Sequence, residues 1–317
     1  MSRPAVLTAG IGTGDTAGPA PAVGRAPGRR PRTRRQWIGL VYVAPAFAFL
    51  VAFVLFPLTR VVSFSFYDWS GAGEATWVGF GNYQRMLRSE QLHQALWHSL
   101  VFIVTYSVLP ICIGLLVAGL IGRRRRRGLG FFRMLLFVPQ VTTLVAVGVA
   151  WRWVYDESGT LNQLLGLVGI PAGTAWLGSF TWALPAVGLI GTWVMSGFCM
   201  LLFLAGMGKI DASLYDAARI DGAGAVREFF AVTAPALRQE IIVAAVVTMI
   251  GALRTFDLVY VTTQGGPGHS TVVPGFLVYR LAFRAGDVGG AATVAVLLIL
   301  MIFLIVLLIT RTLRERP

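Results

Sequence analysis

Residues 209–241 read KIDASLYDAARIDGAGAVREFFAVTAPALRQEI, a polar stretch set between apolar runs. Asp211 is a good helix N-cap, its carboxylate able to accept from free amides of the first turn, and residues 212–220 hold several strong helix formers. Asp221-Gly222 ends that helix, because glycine takes a left-handed C-terminal position without a Cβ penalty. A second helical stretch, residues 225–232, follows, and Pro235 marks the entry to the next segment. The spacing predicts a short helix, a glycine hinge and a second helix. Ala217 and Ala218 keep one face thin enough for close backbone approach, with Asp216, Arg219 and Asp221 placing charges at its edge.

Outward from this stretch the chain is apolar for about 20 residues at a time, the length a helix needs to cross roughly 30 Å of hydrocarbon. Spans are predicted at residues 38–58, 97–121, 132–151, 182–206, 241–262 and 288–310. The 317 residues are 56% hydrophobic and 13% charged, with a mean hydropathy of +0.71, and a soluble helical bundle would show polar faces that these runs lack. Domain organisation follows: a disordered basic tail over 1–36, the first span with an outward segment over 37–96, a five-span core over 97–310 with its cytosolic loop at 207–240, and a short tail over 311–317. Arg34-Arg35 stands before an apolar stretch as in a secretory signal, but residues 38–58 are longer than a signal core and no small-residue cleavage site follows.

The net charge of +13 could point to nucleic acid, so the placement of the basic residues decides. Arginines cluster before Trp37, in the run Arg123 to Arg127, and at Arg311, Arg314 and Arg316, all flanking apolar segments. This fits membrane topology with lipid as the partner; a nucleic-acid face would need a polar folded module, and no stretch is long enough to build one. The positive-inside rule puts both termini in the cytosol, together with the connections 122–131 and 207–240. Within the outward segment, Phe80, Tyr83, Met86, Leu87 and Leu92 form a weakly amphipathic stretch expected to lie along the outer membrane surface.

Catalytic chemistry is not evident. A phosphate-binding loop GxxxxGK[ST] needs a lysine followed by a hydroxyl residue, whereas the sole lysine, Lys209, precedes Ile210 and has Phe203 at the first glycine position. Cys112 and Cys199 lie in apolar spans as packing residues without metal-ligand spacing, and His93, His98 and His269 are scattered. Arg254 and Asp257 stand out, because an ionisable residue at membrane depth is costly unless it meets a partner or a wet cavity. Three residues apart on one predicted helix face, they either pair or, with Thr255, line a solute cavity joined from the fourth span by Thr192, Trp193, Ser196 and Gly197. Hydroxyls and an aromatic ring suit a sugar. A secondary transporter would need coupling-ion chemistry in paired interrupted helices, and of the carboxylates only Asp257 comes near.

The stretch 209–241 resembles the permeases of binding-protein-dependent ABC importers, whose cytosolic signature is Glu-Ala-Ala, three residues, Gly, nine residues, then Ile-x-Leu-Pro. The matching positions are Asp216, Ala217, Ala218, Gly222, Val232, Ala234 and Pro235, with Asp for Glu, Val for Ile and Ala for Leu. TFDLVYVTTQGGPGHST over 255–271, YVAPAFAFLVAFVLFPL over 42–58 and SFYDW over 65–69 resemble the carbohydrate-uptake branch. The resemblance implies an all-α polytopic membrane protein with six transmembrane helices and type I ABC importer permease architecture, in a bacterial inner membrane. It implies a coupling-helix loop in which Tyr215, Asp216, Ala217, Ala218, Asp221, Gly222, Ala223 and Pro235 meet a cytosolic ATPase dimer, which would hold ATP and Mg, with no cofactor on this chain. A second homologous permease and an extracytoplasmic substrate-binding protein complete the implied assembly, and a sugar or sugar-like solute is its implied cargo.

Overall fold

The structure, a computed structural model, describes residues 33–121, 128–170 and 173–313. Most of the predicted tail 1–36 therefore lies outside the described residues, as do the arginine run 123–127 and residues 314–317.

The chain divides into two compact units, residues 1–55 and 56–317. In the first, α1 (Thr33–Leu50) runs into a π-helical segment, Val51–Leu55. Tyr42, Phe49 and Phe53 are exposed there, a surface suited to hydrocarbon rather than water.

The second unit opens with α2 (Phe56–Phe64) and a small antiparallel ribbon, β1 (Tyr67–Asp68) with β2 (Thr76–Trp77), in which Tyr67 faces Trp77. Next come α3 (Gly81–Leu87), α4 (Glu90–Ile103), a π segment Val104–Val108 and α5 (Leu109–Ile121). Then follow α6 (Leu129–Val141), α7 (Leu144–Val154), α8 (Thr160–Leu167) and α9 (Ala183–Met207). The polar loop holds α10 (Ala212–Ile220), α11 (Ala225–Glu228), a π segment Phe229–Thr233 and α12 (Ala234–Ala236). The chain closes with α13 (Arg238–Leu253), α14 (Asp257–Thr262), α15 (Pro274–Tyr279), a π segment Arg280–Arg284 and α16 (Val288–Leu313).

Four helical runs among the described residues are long and apolar enough to cross a membrane: Val41–Phe64, Glu90–Ile121, Ala183–Met207 and Val288–Thr312. Two bent pairs bring the number to six if each pair counts as one span. The predicted third span is one of these: Gly130–Val141 and Leu144–Val154 meet at 106°. Thr142 and Thr143 are extended, the Thr143 hydroxyl caps α7 by accepting from the Ala146 amide at 3.4 Å, and Pro139 has no amide to give the preceding turn. The predicted fifth span is displaced. Its helix, α13, starts at Arg238 after a 71° bend and stops at Leu253, well short of residue 262.

At the centre lies α9, its core face buried through Leu184, Ile190, Val194, Met200 and Phe203 and packed by α4, α5, α6 and α13, while Leu189 and Trp193 are exposed. Helices in lipid gain little from hiding apolar surface from one another, so close van der Waals contact at small residues and interhelical hydrogen bonds hold them together. The free cysteine Cys199 packs in this core. The stretch around Phe80 to Leu92 buries Asn82, Met86 and Leu92 against the protein and leaves Phe80 and Leu87 exposed. Buried Asn82 donates to the carbonyls of Ser65 (3.0 Å) and Tyr67 (2.8 Å), and Arg85 pairs with Asp287 at 3.0 Å, just ahead of α16.

Candidate functional site

Most of the candidate residues lie in two places on this apolar scaffold: the loop between α9 and α13, and a cavity at the end of α13. In the loop, Asp211 accepts from the Ser213 amide at 2.9 Å and starts α10. That bond holds the Asp211 carboxyl below its ordinary value, since the amide favours the charged form. Gly222, at φ +77°, ends the helix; its amide bonds the Arg219 carbonyl and the Ala223 amide bonds the Ala218 carbonyl, both at 2.9 Å. This double closure is the Schellman arrangement, which satisfies the last carbonyls of a helix.

The hinge is tied from outside as well. Arg219 reaches across it to the largely buried Glu228 at 3.3 Å and meets Asp216 at 3.4 Å. Lys209 pairs with Glu240 at 3.1 Å, joining the root of the loop to the first turn of α13. Tyr215 points inward, 5% exposed, with its hydroxyl 3.1 Å from that of Thr233, so it ties α10 to the π segment that follows α11. Asp216, Ala217, Asp221 and Gly222 are exposed, and Ala218 and Ala223 partly so. Pro235 is exposed on α12. Leu214, Ile220 and Val226 are exposed by 52%, 86% and 72%, an apolar rim around a polar hinge of the kind that marks a protein contact. In the sequence these three carry no signal of their own, being apolar residues beside a charged hinge.

The cavity, about 450 Å³, lies where α13 stops, and its lining includes Tyr106, Met195, Arg254, Thr255, Phe256 and Asp257. Arg254 caps the C-terminus of α13 and Asp257 opens α14, so each charge stands at the helix end that favours its sign. The helix break between them overturns the expectation that they share one helix face, and among the described residues no ion pair joins them. Thr255 is buried, its hydroxyl donating to the Gly251 carbonyl at 2.9 Å.

The four candidates on α9 are placed otherwise. Thr192 is buried with its hydroxyl on the Thr105 carbonyl, Ser196 donates to the Trp193 carbonyl at 2.9 Å, and Trp193 meets Trp151 edge-on at 5.5 Å. At Gly197 a Cβ would lie 2.0 Å from the Leu136 carbonyl oxygen, so the position serves contact with α6. From α9 it is Met195 that reaches the cavity. A buried helix satisfies its hydroxyls on nearby carbonyls, which is why polar residues there did not identify a lining face.

A family model described as "Binding-protein-dependent transport system inner membrane component" matches residues 110–316, which includes both the loop and the cavity break. The chain belongs to this family. It is an ABC importer permease of the inner membrane, and the secondary-transporter reading finds no support. This permease is 33% identical over 264 residues to a probable ABC transporter permease of Bacillus subtilis (strain 168), covering 82% of this chain and 90% of that one. It is 33% identical over 251 residues to the lactose transport system permease of Rhizobium radiobacter, covering 78% and 83%. Its fold matches a chain in the crystal structure of a bacterial alginate ABC transporter in complex with alginate pentasaccharide-bound periplasmic protein, with a TM-score of 0.75, 20% identity, and coverage of 88% and 95%.

Proposed function

We propose that this permease carries a sugar or sugar-like solute, and that the cavity at the end of α13 is part of its path. The observation that carries the reading is the helix break at residues 254–256, which gathers a cation, a hydroxyl residue, a carboxylate and an aromatic ring around one cavity. Charged and hydroxyl groups can bond sugar hydroxyls, Phe256 adds aromatic surface to the lining, and about 450 Å³ is within the usual range for small-molecule sites. The names of relatives support the cargo class: permeases for lactose, diacetylchitobiose and trehalose/maltose are among them.

The same reading assigns the other working parts. Residues 209–241 face the cytosol with both termini, and the exposed apolar rim at Leu214, Ile220 and Val226, with Asp216, Ala217 and Asp221 beside it, docks on a separate ATPase dimer that binds ATP and Mg. An extracytoplasmic binding protein delivers the solute, and a second, homologous permease completes the path. Closure of the ATPases moves the loop as one body, since the Arg219 to Glu228 pair ties its two helices together and the Lys209 to Glu240 pair ties its root to α13.

The test is uptake by the assembled, reconstituted transporter, using a panel of lactose, maltose, trehalose and diacetylchitobiose with the cognate binding protein. Asp257→Asn and Arg254→Gln are expected to lower uptake of the preferred sugar about tenfold while the complex still assembles and hydrolyses ATP. Undiminished uptake by both variants would remove the cavity from the path.

A further inference from the structure

The π segment Val104–Val108 lies where α4 and α5 meet α9 and α13, and its three central residues each engage a neighbouring helix. The Thr105 carbonyl takes the Thr192 hydroxyl of α9, and the Ser107 hydroxyl lies 2.6 Å from that of Thr248 on α13. Between them, the ring of Tyr106 fills the space left by two glycines. A Cβ at Gly191 of α9 would lie 1.8 Å from its Cδ2, and one at Gly251 of α13 would lie 3.0 Å from its Cε1.

Both edges of the ring are thus taken by protein, and Tyr106 as a whole is 2% exposed. A buried tyrosine normally gives its hydroxyl a partner. Tyr155, 4% exposed, donates to the Ala186 carbonyl at 3.1 Å, and Tyr215 meets Thr233. Among the described residues the Tyr106 hydroxyl has no such bond, yet it is not one of the sealed polar atoms, and the residue lines the cavity that holds Arg254, Thr255 and Asp257. Tyr106 is the middle residue of a π-helical turn, a local geometry frequent at functional sites.

We propose that Tyr106 contacts the transported solute directly, its hydroxyl hydrogen-bonding a hydroxyl of the solute, and that it sets which sugar hydroxyl is read in the cavity. The proposal rests on the reading of the cavity as the solute path. Tyr106→Phe keeps the ring between Gly191 and Gly251 and removes one oxygen, so the fold is retained while the bond is lost.

The experiment uses the reconstituted transporter with saturating binding protein, the best-transported disaccharide of the panel above, and its mono-deoxy analogues. The wild-type chain is expected to take up at least one analogue about tenfold more slowly than the parent. Tyr106→Phe is expected to slow the parent to that rate and to lose the discrimination, with ATPase stimulation retained. Unchanged parent uptake and unchanged analogue ranking in Tyr106→Phe would overturn the contact. Asp257→Asn and Arg254→Gln run alongside: if they lose uptake while Tyr106→Phe is unaffected, the path stands and the Tyr106 contact falls. If all three transport normally, the path itself falls.

Discussion

Two helix breaks, at Gly222 in the polar loop and at Arg254 to Phe256 beside the cavity, are made by different means. The first is local: Asp211 starts the helix, Gly222 ends it at φ +77°, and the released carbonyls are satisfied within six residues. The second contains neither glycine nor proline. There α15 packs against the broken turn, so closely that a Cβ on Gly275 would lie 3.0 Å from the Thr255 carbonyl oxygen and 3.5 Å from the Phe256 Cβ. A break written into its own residues serves a loop that must keep its shape outside the membrane. A break imposed by a neighbour leaves polar groups turned toward a cavity.

The contrast is sharpest if the neighbour is removed from the second break. Gly275→Leu should push α15 off the turn, an overpacking that costs about 1–3 kcal/mol, and solute uptake should fall more than about tenfold while the loop still binds its ATPase. Co-purification of the ATPase beside an uptake assay separates the two effects. Gly222→Val attacks the first break instead, where a left-handed residue with a Cβ costs about 1–2 kcal/mol. Several-fold loss of ATPase stimulation by loaded binding protein is expected, with Gly222→Asn close to wild type. The smallest effect belongs to Asp211. Its carboxyl is held low in the folded loop, so the cap contributes fully above the ordinary carboxylate value, about 3.9, and is lost as pH falls through the lower folded value. Coupling should therefore be flat between pH 5 and 8, while Asp211→Ala should speed hydrogen exchange at the Ser213 and Leu214 amides and Asp211→Ser should not.

The same contrast explains what the sequence disclosed. The helix over residues 212–220, its cap and its glycine stop were legible because each depends on residues within one turn. The long runs that became α9 and α16 were legible from length and apolarity alone. The bend after Val141 left a faint trace in Pro139, Thr142 and Thr143, polar or helix-breaking residues inside an apolar run, but not its 106° angle. The break at residues 254–256 showed only as the polar residues Arg254, Thr255 and Asp257, which did not mark a helix end, and the π turn at Tyr106 has no local signature; both lie where other elements pack closely, at Gly275, Gly191 and Gly251. Of the candidate path, Arg254, Thr255 and Asp257 line the cavity at the break, whereas Thr192 and Ser196, polar like them, bond nearby carbonyls, Gly197 lies against the Leu136 backbone and Trp193 meets Trp151. Polarity within a span marks an atom that needs a partner; only the fold decides whether the partner is a carbonyl or a solute.

Thiol chemistry at the second break tests the proposed path most directly. Thr255→Cys, made in a Cys112→Ser background so that the exposed native thiol is gone and Cys199 stays buried, would be treated with a small polar methanethiosulfonate in the assembled transporter. The account predicts that modification stops uptake and that the transported sugar, supplied with its binding protein and ATP, slows the labelling. A fully labelled Thr255→Cys transporter that carries solute at its unlabelled rate would contradict it.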